Sequence, residues 1–221
     1  MNPKQLIGEK AAEYVRNGMI VGLGTGSTAY WAVRRIGELV RGGLRIKGVP
    51  TSKSTEQLAR AEGIPLTSIE ELKHIDLTID GADEFDPDKN VIKGGGGALL
   101  REKIVASLSR EYIIIADAAK RVDVLGAFPM PVEVTPFAWQ VSARQLEKLG
   151  CHIRIRKNGN ELFVTDNNNY ILDCHFERID RAGELADQIN RVPGVVENGL
   201  FLNMVNCIIT TSKSGEIIIL D

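Results

Sequence analysis

Residues 22–28 read Gly22-Leu23-Gly24-Thr25-Gly26-Ser27-Thr28, three glycines interleaved with three hydroxyl side chains after a short apolar run. That composition suits an anion. Backbone N–H groups and the positive end of a helix dipole at a strand-to-helix junction favour a phosphate. Glycine lets the backbone approach closely, and Thr25, Ser27 and Thr28 add hydroxyl donors. A dinucleotide fingerprint would need glycine at 27 or 29, where Ser27 and Ala29 stand, and an acidic residue where Pro50-Thr51-Ser52-Lys53 stands. A P-loop would need a Gly-Lys-Ser/Thr step, which is missing. The plain alternative is a glycine turn with a Ser/Thr helix cap; the density of hydroxyls favours the anion site.

Two further segments carry polar chemistry. Leu77-Thr78-Ile79-Asp80 ends an apolar run in a carboxylate and leads into Gly81-Ala82-Asp83-Glu84-Phe85-Asp86. Beyond the carboxyl end of a parallel strand, Asp80 and Asp83 stand where ligands bind in open sheets. A calcium loop starting at Asp86 fails, because Val91 and Gly97 replace its glycine and its last glutamate. Glu84, Asp86 and Asp88 are read as a solvated surface loop. Lys93-Gly94-Gly95-Gly96-Gly97 opens directly into a helical pattern, which argues against a flexible linker. Four glycines are entropically costly, and a nest of amides beside a lysine would stabilise a developing oxyanion.

In the helix that follows, Ala98, Glu102, Val105, Ala106 and Ser109 share one stripe, so Glu102 interrupts a row of small residues. A carboxylate there would be partly desolvated, and its pKa raised toward that of a useful base. The competing reading is a surface glutamate paired with Arg101 or Lys103, and spacing leaves both open. Lys120, after Ala116-Asp117, is placed to reach a phosphate, although spacing alone favours solvent exposure.

The elements that must hold these groups alternate between helix and strand. Helical periodicity covers residues 3–17, 28–40, 54–62 and 98–109, with apolar strands at 19–23, 44–49, 77–80 and 112–116. This alternation predicts a parallel sheet covered by helices on both faces. Phe128-Pro129-Met130-Pro131 reads as a proline-spaced extended linker. Beyond it come a helix at 136–149, strands at 151–156 and 161–165 joined as a hairpin by Asn158-Gly159, a strand at 170–175 and a helix at 180–191. Strands at 204–211 and 216–220 fit either part. The fold class is thus α/β, a Rossmann-like, mostly parallel sheet, plus a smaller α+β domain.

Bulk properties exclude several functions. The 221 residues carry 27 Lys+Arg against 29 Asp+Glu, a net charge of -2, so no global field draws nucleic acid or an anionic membrane. No run approaches a membrane span, and the first residues lack a signal-peptide core. Three widely spaced cysteines, Cys151, Cys174 and Cys207, suit a reducing compartment, and the expected location is cytoplasmic. A zinc site from Cys151-His152 and Cys174-His175 is disfavoured, because adjacent strand residues point to opposite faces.

Taken in order, the segments resemble ribose-5-phosphate isomerase of the A type. The likeness rests on Gly22 to Thr28, Asp80-Gly81-Ala82-Asp83-Glu84, Lys93-Gly94-Gly95-Gly96, Arg101-Glu102-Lys103-Ile104, and Ala116-Asp117 with Lys120. Phe128 to Val134 and Pro193-Gly194-Val195-Val196 extend it over nearly the whole length. The resemblance implies interconversion of ribose 5-phosphate and ribulose 5-phosphate through an enediolate, with no cofactor and no metal, by a homodimer or homotetramer. It implies a Rossmann-like domain of residues 1–127 and 200–221, which takes the last strands, and a smaller domain of residues 128–199. Position by position, it makes Glu102 the base and sets Asp80, Asp83 and Lys93 around the sugar oxygens. Thr25, Gly26, Ser27, Thr28, Gly81, Ala82, Gly94, Gly95, Gly96 and Lys120 fall to substrate binding, with Lys4 at the phosphate. Residues 51–55, Thr-Ser-Lys-Ser-Thr, occupy a segment that is hydroxyl-rich in the family, which leaves the role of Lys53 open. Two rivals share the sheet: a nucleotide-dependent oxidoreductase, and a sugar-phosphate sensor that binds without turnover.

Overall fold

A computed structural model describes residues 2–212 and 214–221, and the chain divides into two compact units. The larger takes the chain up to Ala82, then Arg101–Arg121 and Asn203–Asp221; the smaller takes Asp83–Leu100 and Val122–Leu202. Residues 83–100, 122–127 and 200–202 therefore go with the smaller unit, whereas the sequence reading kept them with the larger.

The larger unit is built on a six-stranded sheet ordered Ile217–Leu220, Cys207–Thr211, Ser109–Ile115, Ile75–Gly81, Ile20–Leu23, Lys47–Pro50. Every pairing is parallel except the last hairpin, Cys207–Thr211 with Ile217–Leu220. The central strands are apolar because both faces are covered. On one face Ile7 and Ala11 of helix Pro3–Ala12 and Val33 and Ile36 of helix Ala29–Arg41 pack on Val21, Leu23, Leu77, Ile79 and Ile113. On the other, Val105 of helix Leu99–Ser107 packs with Val49 and Ile75. A Cβ on Gly22 would lie 2.0 Å from Thr78 Oγ1 and 2.8 Å from Val105, so glycine there lets that helix sit close to the sheet. The chain leaves Ile20–Leu23 for Lys47–Pro50 on one side and returns to Ile75–Gly81 on the other. The order reverses between those two strands, where open sheets form a ligand crevice.

Antiparallel pairing dominates the smaller unit. Its four-stranded sheet runs Val195–Asn198, Met130–Val134, Tyr170–His175, His152–Ile155. The proline-spaced linker expected at 128–131 is instead the start of an interior strand, buried at all five positions of Met130–Val134. Pro131 gives the ladder no N–H, yet its carbonyl accepts from Gly199 N at 2.8 Å, and the adjoining strand shifts register between Val195 and Glu197. The hairpin expected between 151–156 and 161–165 also resolves differently. His152–Ile155 pairs with Tyr170–His175, and the Asn158-Gly159 turn closes only the short ribbon Lys157–Asn158 with Glu161–Leu162. Cys151 and Cys174 lie in the buried core of this unit, while His152 and His175 face each other directly across the ladder on the opposite side. A third sheet, Leu200–Phe201, Val91–Ile92, Glu84–Phe85, frames the glycine run.

Glu84 corrects the reading of the acidic loop. It is buried, and its two carboxylate oxygens accept from the backbone N–H groups of Gly126 and Phe128. Asp86 stays near the surface, binding Asn90.

Candidate active site

The parallel strands Ile20–Leu23, Ile75–Gly81 and Ser109–Ile115 end on one edge of the larger unit's sheet, so the loops at 24–28, 81–82 and 116–120 share that edge. At its centre Gly24 N donates to Ile79 O at 2.9 Å, and Thr25 N donates to Asp80 Oδ1 at 3.0 Å. Gly81 N also donates to Asp80 Oδ1, at 2.7 Å. Asp80 is fully buried and locks the first loop onto the second.

The hydroxyls of this loop divide their labour. Thr51 Oγ1 donates to Leu23 O and Thr55 Oγ1 to Gly24 O, each at 3.0 Å. The one proton on Thr25 Oγ1 goes to Ser52 Oγ at 2.8 Å, and the Thr51 and Thr55 hydroxyls lie at 2.7 and 3.1 Å from the same oxygen. Thr25 is thus a brace through its side chain, where the sequence reading made it an anion donor. Ser27 keeps its proton, because its Oγ accepts from Lys4 Nζ at 2.9 Å. That bond brings Lys4 to the loop, beside the N-terminus of helix Ala29–Arg41. Gly26 has φ +108, a left-handed conformation that favours glycine. The hydroxyl-rich segment 51–55 proves to be the support of this loop, with Ser52 capping helix Lys53–Ala61 and Lys53 exposed on it. Lys120 is half-buried in a turn of 3-10 helix, Ala118–Lys120, capped by Asp117.

Glu102 sits in the first turn of helix Leu99–Ser107 and is 5 % exposed. Its stripe partners Ala98, Val105 and Ala106 are buried with it, so the exposed-surface alternative does not hold. Close by is a residue that the sequence did not single out. Tyr112 is buried, with its hydroxyl 3.5 Å from Asp80 Oδ2, at the outer limit of a hydrogen bond. Burial, then the charges of Asp80 and Glu102, hold its phenol well above the ordinary tyrosine range. Tyr112 therefore stays a neutral donor beside two carboxylates. Above about pH 10 the unfolded chain releases the tyrosine proton while the native chain keeps it, so stability falls as pH rises there. A near-ultraviolet titration of the four tyrosines is expected to show less tyrosinate in the native protein than in the denatured one at the same pH. Tyr14, also raised by burial, adds to that deficit, and Tyr112→Phe should shrink it. Ionisation of all tyrosines in a still-folded protein would contradict the assignment.

In the smaller unit, Lys93 is 2 % exposed, its N donates to Gly199 O at 2.9 Å, and its Nζ lies 5.7 Å from the Phe201 ring centroid. Asp83 Oδ2 accepts from Gly95 N at 2.7 Å, so Asp83 and the glycine run form one cluster. Of the amides expected to face an oxyanion, that of Gly95 is thus engaged by Asp83, and Gly97 N donates to Gly94 O. Gly94 and Gly97 have φ +102 and +77, and a Cβ on Gly97 would lie 2.4 Å from the Phe163 ring. Arg156, which the sequence also left unmarked, holds the other side of the run. Its Nη1 donates to Gly94 O at 2.7 Å and to Gly95 O at 3.0 Å, and its other edge pairs with Asp173. Among the described residues no group of three or more His, Cys, Asp and Glu could hold a metal ion, and no helix is long and apolar enough to cross a membrane.

Residues 47–215 match the family profile of ribose 5-phosphate isomerase A (phosphoriboisomerase A). Ribose-5-phosphate isomerase A of Bacillus mycoides is 50% identical over 216 residues, covering 97% of this chain and 98% of its own. Among solved structures, ribose 5-phosphate isomerase from Plasmodium falciparum superposes with a TM-score of 0.96 at 41% identity, covering 99% of this chain and 97% of its own. A D-ribose-5-phosphate isomerase in complex with phospho-erythronic acid superposes with a TM-score of 0.95 at 36% identity, over 100% of both chains.

Proposed function

The chain belongs to the ribose 5-phosphate isomerase A family, and from that premise we propose that Glu102 carries the proton that moves between C1 and C2 of the sugar. The reaction is the aldose–ketose isomerisation of ribose 5-phosphate and ribulose 5-phosphate in the pentose phosphate pathway. The observation that carries the reading is the burial of Glu102 on the helix that lies against the sheet. Burial slows the exchange of a proton held on that carboxylate with bulk water, so the proton can be returned to the same substrate.

The furanose must first open, and Asp80 or Asp83 exchanges the hydroxyl protons of that step. Glu102 then takes the proton from C2, and the released electron pair spreads over C1 and the carbonyl oxygen as an enediolate. Returning the proton to C1 leaves the carbonyl at C2, the hydroxyl proton passing from O2 to O1. Lys93 and the amides of Gly94 and Gly96 act as donors to the enediolate oxygens, while the Gly95 amide holds Asp83; loss of one such donor lowers rate by about 10²–10³. The phosphate is held by the amides and hydroxyls of residues 26–28 with Lys4, and by Lys120, so that binding of a non-reacting group orients the reacting one. Proton transfer alone suffices, without metal or cofactor. The protein works as a homo-oligomer in the cytoplasm.

The test is turnover in D₂O after EDTA treatment, followed by NMR. Ribulose 5-phosphate should form with solvent deuterium entering at the migrating position. Binding of ribose 5-phosphate without any product would sink the reading and leave a sensor.

A further inference from the structure

The carbonyls of Gly94 and Gly95 both point at one guanidinium, and this has a geometric consequence for the amides on the other side. In a planar trans peptide the C=O of one residue and the N–H of the next point in opposite directions. Arg156 Nη1 draws Gly94 O and Gly95 O to itself at 2.7 and 3.0 Å. The N–H groups of Gly95 and Gly96 must therefore turn the other way together. Gly95 N does so, reaching Asp83 Oδ2 at 2.7 Å. The Gly95 amide is thereby used to hold the Asp83 carboxylate, and the Gly96 N–H, turned to the same side, is the one offered to an oxyanion.

Arg156 is itself held on three sides. Nε donates to Asp173 Oδ2 at 3.0 Å, and Nη2 pairs with Asp173 Oδ1. The guanidinium carbon lies 5.8 Å from the centroid of the Phe163 ring, and the side chain is 14% exposed. Asp173 belongs to Tyr170–His175, an interior strand of the four-stranded sheet, so the clamp is anchored in rigid structure. Only a planar fork does this: one edge grips a carboxylate while the far nitrogen serves two carbonyls.

We propose that Arg156 is a positioning residue for the isomerisation, which it supports without touching the sugar: it fixes the Gly95 amide on Asp83 and the Gly96 amide toward the developing charge. The proposal rests on the reading that the glycine run faces the developing enediolate charge. Amides aimed at charge that exists only in the transition state raise kcat and leave ground-state binding nearly alone.

The test measures kcat and KM for ribose 5-phosphate, with melting temperature, in Arg156→Ala, Arg156→Lys and Asp173→Asn. Arg156→Ala is expected to lose about 10²-fold in kcat, the scale of one lost oxyanion donor, with KM changed by less than about 3-fold. Arg156→Lys, a single point charge, should fall between it and the wild type, as should Asp173→Asn. Guanidinium ion added at a non-denaturing concentration should restore part of the Arg156→Ala rate and none of the rate of a Glu102 variant. Should Arg156→Ala prove unstable, the same split between kcat and KM in Arg156→Lys decides. Wild-type kcat in both Arg156 variants would overturn the proposal. So would a loss that tracks melting temperature, raises KM equally and resists guanidinium. An inactive wild-type protein would instead strike the isomerase reading itself.

Discussion

Glu102→Gln is expected to lower kcat for ribose 5-phosphate by about 10³-fold, about 4 kcal/mol of transition-state stabilisation, with KM nearly unchanged. Glutamine keeps the shape of the side chain, so the packing of the buried stripe Ala98, Val105 and Ala106 is preserved. What it removes is the ability to take a proton. At 5 % exposure, bulk water has little access from which to replace the base. Glu102→Asp keeps the carboxylate but withdraws it by about 1 Å, a displacement that can cost about 10²-fold, so it should lie between glutamine and wild type. Steady-state kinetics with melting curves give the answer. If Glu102→Gln turned over within a few-fold of wild type, the base would have to be sought elsewhere, with Asp80 first in line.

Gly24→Ala adds one methyl group and is expected to cost both stability and most of the activity. The conformation at Gly24 is open to any residue; space is what is missing. An added Cβ would lie 2.3 Å from Asp80 Oδ1 and 2.5 Å from Asp80 Cα. Those atoms are part of a strand and of a buried carboxylate that already accepts from Thr25 N and Gly81 N. The two strands flanking the crevice must separate, at about 1–3 kcal/mol for overpacking. For a chain of this size that is a fall in melting temperature of about 3–10 °C. The loop that carries Ser27, bonded to Lys4 and proposed above to hold the phosphate, moves with them, so kcat/KM should fall by more than about 10-fold. Gly183→Ala is the control. Nothing lies within 4 Å of a Cβ built there, in helix Ala182–Asn190, and alanine should be neutral or stabilising by about 0.5–1 kcal/mol. Equal melting temperatures for Gly24→Ala and wild type would show that the crevice yields more readily than this packing implies.

Much of the larger unit could be read from the sequence, because its signals are local. Short apolar runs ending in glycine or aspartate, alternating with amphipathic stretches, yield a parallel sheet and mark the edge where its loops gather. At Glu102 the local pattern left burial and a surface ion pair equally open, and only the packing of its helix on the sheet decides for burial. The misses all depend on partners far along the chain. Glu84 looks like part of a solvated acidic triplet until Gly126 and Phe128 arrive to use both of its oxygens. The Asn158-Gly159 turn was read correctly as a turn, but local chemistry does not say that His152–Ile155 prefers Tyr170–His175 to its own neighbour. Pro131 argues against an interior strand, and only Gly199 shows how its carbonyl is used. Arg156 is an arginine in the alternating stretch after His152, and Tyr112 a tyrosine at the head of an apolar run. Their roles come from what folding brings beside them.

The order of strands in the larger sheet also sets a schedule for synthesis. Ser109–Ile115 has Ile75–Gly81 on one side, both made early. Its other neighbour, Cys207–Thr211, comes much later, and Tyr112 N reaches Asn206 Oδ1 across 94 residues of chain. Nearly the whole smaller unit is translated in that interval. While it emerges from the ribosome, the Tyr112–Ile115 stretch presents an unpaired, strongly apolar ladder edge, the kind of surface through which nascent chains join wrongly. Closing it late means paying the entropy of a long loop before the reward of burial. The edge stays open from about the middle of synthesis, when Ile115 has been made, until Cys207–Thr211 arrives to cover it.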